Sequence, residues 1–153
     1  EADWTLIREI KRNPRIKIPI FGNGDVDSAV KAANWRLEYK VDGIMIGRAA
    51  IGYPWIFREV KHFFKTGEFL PGPTLEERII ACRTHLDKSI EWKGPKVGIF
   101  EMRRHYSNYF KGLPDFKHYR MLLVKEENLE TIHQILDEVA EKYEHILPFS
   151  EMA

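Results

Sequence analysis

Two glycine-bearing turns, Gly22-Asn23-Gly24-Asp25 and Gly47 to Gly52, each follow a short apolar run in this chain of 153 residues. Glycine permits positive φ and lets the backbone close on an anion. N–H groups converging at the end of a strand make a phosphate cradle. Arg48 adds a guanidinium fork suited to phosphate oxygens; its alternative is a salt bridge across the rim, to Asp25. Ala49 and Ala50 keep bulk away from a planar ligand. Asp25 would repel a phosphate, so its expected part is to cap the loop or the helix that follows. The candidate anion site is thus Asn23, Gly24, Asp25, Gly47 and Arg48. An ordinary strand-to-helix turn is the competing account of the first turn.

A second group of residues carries a different chemistry. Arg103, Arg104 and His105 are consecutive, Lys96 and Lys111 flank them, and Lys117, His118 and Arg120 follow, with Tyr106, Tyr109 and Phe110 interleaved. Cations meet RNA phosphates and rings meet unpaired bases, so Arg103, Arg104, Lys111 and Arg120 are candidate RNA contacts. The alternative is a solvated charged face over an aromatic core, which is where Tyr106 and Phe110 are expected. His105 is either a phosphate contact or a structural hydrogen-bonding group. His62, His85, His133 and His145 show no metal-ligand spacing. Glu76-Glu77 and Glu126-Glu127 stand at helix starts, where carboxylates favour the dipole rather than acid/base work.

These residues need elements to position them. Asp3 to Arg12 has the spacing of a short helix, with Asp3 as its cap and Trp4, Ile7 and Ile10 on its apolar face. Ile16–Phe21 is a β-branched strand, although Pro19 argues against a central position. A helix capped by Asp27 or Ser28 runs to about Tyr39, with Val26, Val30, Ala33 and Leu37 on one stripe. Val41–Ile46 is the second strand. Parallel strands need a crossover of this length. A helix beginning near Pro54 buries Ile56, Phe57, Val60, Phe63 and Phe64 and ends at Gly67. Trp55 reads as a packing anchor between the two parts of the chain, with a place flanking a bound cofactor as the alternative.

At Pro71-Gly72-Pro73 the pattern changes from alternating strand and helix to helix alone. Thr74 to Glu77 is a capping box, with Leu75, Ile79, Cys82, Leu86 and Ile90 behind it. Further helices are expected over Lys96–Phe110, after a break at Gly112-Leu113-Pro114 through Leu123, and from Glu127 to about His145. The hydrophobic fraction is 44% and the charged fraction 31%, the composition of a globular protein. With 24 Lys and Arg against 23 Asp and Glu, net charge neither requires nor excludes nucleic acid. The lone Cys82 excludes an internal disulfide and suits a reducing, cytoplasmic compartment. No apolar run reaches the ~20 residues of a membrane span, and no signal peptide leads the chain.

The expected fold class is α/β plus all-α. Two bare parallel strands do not make a self-sufficient core. The expectation is therefore that earlier strands precede Glu1 and that residues 1–70 are the last two β/α units of a (β/α)8 TIM barrel. Residues 71–153 then form a helical bundle domain. Either the upstream barrel portion of the same parent chain or self-association would cover the sheet edges. A small open α/β domain completed by a partner chain is the other possibility.

Ile18–Val26 (IPIFGNGDV), Asp42–Phe57 (DGIMIGRAAIGYPWIF) and Met102–Pro114 (MRRHYSNYFKGLP) together resemble the C-terminal part of bacterial tRNA-dihydrouridine synthases. The resemblance runs from Trp4 to about Tyr143. It implies a TIM barrel that holds FMN, a helical domain that grips tRNA, and NADPH-driven reduction of the uracil C5–C6 double bond. It assigns the phosphate of FMN to the glycine turns. It also implies an active-site cysteine on an upstream barrel loop, which Cys82 does not match, so the 153 residues alone are expected to be inactive. Two other functions stay open: an RNA-binding helical module without flavin, and another FMN-dependent oxidoreductase acting on small molecules.

Overall fold

The computed structural model describes residues 2–146. The chain divides into two compact units, one ending at Leu70 and one starting at Pro71. Each has its own buried cluster, and each is described by itself.

The first unit contains α1 (Thr5–Arg12), β1 (Phe21–Asn23), α2 (Ala29–Tyr39), β2 (Gly43–Met45), a 3-10 turn (Arg48–Ala50) and α3 (Ile56–Thr66). The strands pair in parallel, with Phe21 opposite Gly43, Gly22 opposite Ile44 and Asn23 opposite Met45. Both are shorter than their apolar runs predict. Pro19 has no N–H to donate, and the Ile20 N–H goes to the Asp42 carboxylate at 2.7 Å instead of to a strand. The Asp42 N–H returns to the Ile20 carbonyl at 2.8 Å. Regular pairing therefore begins only at Phe21, and Gly22 and Asn23 belong to the strand rather than to the turn.

Trp4 is the pillar of this unit. Its ring lies 4.5 Å from that of Trp35 and 5.4 Å from that of Tyr39, centroid to centroid. A Cβ on Gly22 would fall 1.9 Å from the Trp4 ring, so Gly22 is small because Trp4 packs on it. The same aromatic contacts set the rotation of α2. Ala29 and Ala32 are buried, while Val30 and Leu37, expected inside, are exposed, Leu37 by 76%. Ser28 rather than Asp27 caps this helix, its hydroxyl oxygen accepting the Lys31 N–H at 3.3 Å. Asp3 accepts the N–H and hydroxyl of Thr5, but the helix begins after Trp4, and Ile10 is exposed. In α3, Ile56 and Val60 are buried and Gly67 ends the helix at φ +73°. Phe57 and Phe64 face outward, Phe64 beneath the Arg36 guanidinium at 5.1 Å. Trp55 meets Tyr53 with ring centroids 5.7 Å apart.

The second unit contains α4 (Leu75–Lys93), α5 (Pro95–Met102), α6 (Tyr106–Tyr109), α7 (Lys117–Lys125) and α8 (Leu129–Lys142). The Thr74 capping box forms in full, Thr74 and Glu77 each accepting the other's N–H. Ile79, Cys82 and Leu86 of α4 meet Ile132, Leu136 and Val139 of α8 in one core with Met102, Tyr106 and Phe110. The helix expected over Lys96–Phe110 is two helices. The backbone between them tightens to i→i+3 bonds, as from the His105 N–H to the Met102 carbonyl at 2.8 Å. Arg103, Arg104 and His105 therefore lie in a turn, not in a helix. The last helix starts at Leu129 behind an Asn128 cap and ends at Lys142, shorter than expected at both ends. No helix among the described residues is long and apolar enough to cross a membrane.

Candidate functional site

The parallel pairing of β1 and β2 brings the ends of both strands to the same rim. Asn23, Gly24, Asp25, Gly47 and Arg48 all line one open cleft of about 780 Å³ there, together with Asp27 and Lys31. The turns converge because their strands are adjacent and in register. The first turn of α2 also reaches this cleft, and helix N-termini leave N–H groups without intrahelical partners. Their partial positive charge favours an anion.

Gly24 sits at φ +127°, a conformation L side chains rarely adopt, and a Cβ there would lie 2.4 Å from that of Ala2. Its carbonyl accepts the Trp4 indole N–H at 3.2 Å, which ties the turn to the core. Asp25 also has a positive φ, of 49°. Its carboxylate accepts the Ala2 N–H at 2.7 Å and pairs with Arg48. The Ala2 hydrogen bond first, and the Arg48 charge second, hold the Asp25 carboxyl below its usual range. Asp25 thus staples the loop to the chain start rather than capping α2.

Arg48 makes the cross-rim salt bridge, yet its side chain is 86% exposed, leaving guanidinium N–H groups facing solvent. Gly47 differs from Gly24: a Cβ on it would meet no protein atom within 4 Å. The space beside Gly47 is part of the cleft, open to a ligand. Lys31, which the sequence reading did not single out, pairs with Asp27 at 3.7 Å. Its signal was present as a cation in the first turn of the helix after a glycine loop. With Asp25 and Asp27 balancing Arg48 and Lys31, the side chains of the cleft sum to no net charge. The cleft therefore offers an anion backbone N–H groups and pairable cations, not a standing positive field.

The residues chosen as RNA contacts occupy several elements of the second unit. Arg103 is half-buried, 3.3 Å from Glu127 and stacked 5.3 Å over Phe100. Arg104 is exposed, and its Nε donates to His105 Nε2 at 3.2 Å. Lys111 is exposed in the loop after α6, and Arg120 is exposed on α7. Tyr106, Tyr109 and Phe110 are buried and belong to the core. Arg78, unremarked in the sequence, is 4% exposed and positions the Lys111 loop. It donates to the carbonyls of Tyr109 at 2.6 Å and Lys111 at 2.7 Å. An arginine on the apolar side of a helix was the only hint of this. Burial pushes the Cys82 thiol up to about 12, so it is a core hydrophobe, not a reactive group. No cluster of metal-ligating side chains occurs among the described residues.

The family model described as "Dihydrouridine synthase (Dus)" matches residues 1–145. A Rickettsia conorii protein named "Probable tRNA-dihydrouridine synthase" is 35% identical over 119 residues, 78% of this chain and 35% of its own length. The Pseudomonas aeruginosa "tRNA-dihydrouridine synthase B" is 39% identical over 120 residues, 78% of this chain and 36% of its own. A Synechocystis "Probable tRNA-dihydrouridine synthase 1" is 34% identical over 137 residues, 90% of this chain and 38% of its own. The chain spans little more than a third of the length of these relatives.

Proposed function

The chain belongs to the dihydrouridine synthase family, and on that premise we propose that it is part of a flavin-dependent enzyme reducing the C5–C6 double bond of particular tRNA uridines. In this proposal, residues 1–70 are the closing portion of a (β/α)8 barrel and hold the terminal phosphate of FMN. Residues 71–153 form a helical domain that binds tRNA. The outer edges of β1 and β2 have no partner strand among the described residues. Further strands of the same barrel are proposed to lie along them, with self-association as the substitute when they are lacking.

The observation that carries the proposal is the meeting of the Gly24 and Gly47 turns on one open cleft. That cleft fits a phosphate in two respects: the room beside Gly47 is free of protein atoms, and Arg48 is largely exposed. The chemistry FMN supplies when bound is hydride delivery to the uracil ring, with NADPH as the electron source. The chain's own residues do the holding. N–H groups of the two turns bind phosphate oxygens, and Arg48 swings part of its fork from Asp25 to the anion. Asp25 keeps the loop closed through Ala2. No residue here is assigned proton donation to the base, since Cys82 is buried in the core where no base can reach its thiol. The chain by itself is accordingly proposed to be catalytically silent and to bind FMN weakly.

On the RNA side, Arg103, Arg104, Lys111 and Arg120 are proposed phosphate contacts. Binding of tRNA to the full chain, measured across a salt series, is expected to weaken steeply with salt. Arg104→Gln and Lys111→Gln should each reduce the salt slope by about one. Binding that ignores salt, or that both variants leave intact, would remove tRNA from the proposal.

A further inference from the structure

The second unit holds a cleft that contains one of the phosphate contacts proposed above, Arg104, and more besides. It opens beside the C-terminal turns of α4 and the end of α5, encloses about 390 Å³, and is walled by His85, Trp92, Lys93, Arg104 and His105. That volume is at the small end of the range for small-molecule sites, roughly 300–1,000 Å³.

Its walls are flat. The His85 and His105 rings lie 4.8 Å apart at 50°. The Trp92 indole is 88% exposed, more than any other large apolar side chain among the described residues. A tryptophan so placed adds nothing to the core and keeps a wide aromatic face available. The charges around it largely cancel: Lys93 pairs with Glu101, and Lys88 with Glu91 at 2.6 Å. Arg104 has no carboxylate partner among the described residues. It supplies the cleft's surplus positive charge, held beside His105 and acting also on the Glu101 carboxylate.

One nitrogen of each imidazole has a partner, while His105 Nδ1 is buried without one, and no group of side chains that could hold a metal occurs among the described residues. His85 Nδ1 pairs with the Tyr109 hydroxyl at 3.1 Å, and His105 Nε2 accepts from Arg104. Burial first, and the Lys93 and Arg104 charges with it, lower the pKa of both imidazoles, so the two rings are neutral near pH 7. Neutral ring faces with one guanidinium favour a planar group that carries a negative charge. A base with its phosphate has that chemistry, and aromatic platforms bind single-stranded RNA in this way.

We propose that this cleft is a subsite for one unpaired nucleotide of RNA, its base against the Trp92 indole and its phosphate on Arg104. The inference rests on the RNA-binding function proposed above and specifies which part of the RNA is held. A duplex keeps its bases stacked inside and cannot fill the slot.

The test is Trp92 emission in the full chain, read as the difference between wild type and Trp92→Phe because Trp4, Trp35 and Trp55 also emit. Oligouridylate and tRNA should quench that difference signal; an RNA duplex and inorganic phosphate should not. Trp92→Ala, at an exposed position that leaves the fold intact by circular dichroism, should weaken oligouridylate about 5- to 150-fold. Salt-dependent tRNA binding with an unchanged Trp92 signal, or unchanged affinity in Trp92→Ala, would overturn the subsite and leave the RNA function standing. Quenching by duplex as strong as by oligouridylate would also overturn it. Absence of all RNA binding would overturn both.

Discussion

Gly24 and Gly47 are alike in sequence and opposite in physical role. Gly24 is held at positive φ with Ala2 against it, whereas Gly47 borders empty space. Gly24→Ala is expected to destabilise the first unit by about 1–3 kcal/mol, from backbone strain and collision. Gly47→Ala is expected to leave stability within about 0.5 kcal/mol while intruding on the proposed anion space. Denaturant melts of the two variants, followed by phosphate titration, check the pair; equal destabilisation would contradict the distinction. The histidine pair supplies a second expectation. In the folded chain burial lowers the pKa of His85 and His105. Between the folded value and the ordinary ~6.5, the unfolded chain binds more protons. Stability therefore falls as pH drops through that window and is regained above it. Urea midpoints between pH 8 and pH 5 should show this, and the slope should flatten in a His85→Asn, His105→Asn double variant. The sequence marked the glycine turns and Arg48. It could not mark Gly22 as the seat of Trp4, because that contact joins residues far apart in the chain.

At the scale of elements, local signals were read well and rotations poorly. The capping box at Thr74 is legible because all its partners lie within four residues. So is the stop at Gly67, set by one residue's left-handed conformation. The outward turn of Val30 and Leu37 was hidden, because α2 takes its rotation from Trp4 and the sheet. The break between α5 and α6 was hidden for another reason: Met102, Tyr106, Tyr109 and Phe110 keep helical spacing across it. The α4–α5 contact offers a test at this scale. A Cβ on Gly98 would sit 2.7 Å from the Ile90 backbone, and backbone cannot move aside as a side-chain end can. Gly98→Ala is expected to cost about 1–3 kcal/mol and to loosen Arg104 with α5. A calorimetric melt unchanged from wild type would show that the helices separate easily.

Over the whole molecule, the change of pattern near Pro71 was visible because hydrophobic period switches there. The two strands were visible as elements but not in extent, since their length depends on neighbours that a single short sheet does not offer. Phe21 and Met45 on that sheet, and Leu6 and Ile18 nearby in sequence, are exposed. Such apolar surface beside unpaired edges is what a larger barrel would cover. The proposed phosphate cradle needs no further strands, because both turns are present. Its most direct test is an NMR titration of the full chain that follows the backbone amides of residues 23–25 and 47–49. FMN and inorganic phosphate are predicted to shift both sets together at millimolar concentration, while riboflavin, which lacks the phosphate, leaves them in place. Amides of only one turn responding, or riboflavin acting as strongly as FMN, would contradict the claim that the two turns grip one phosphate.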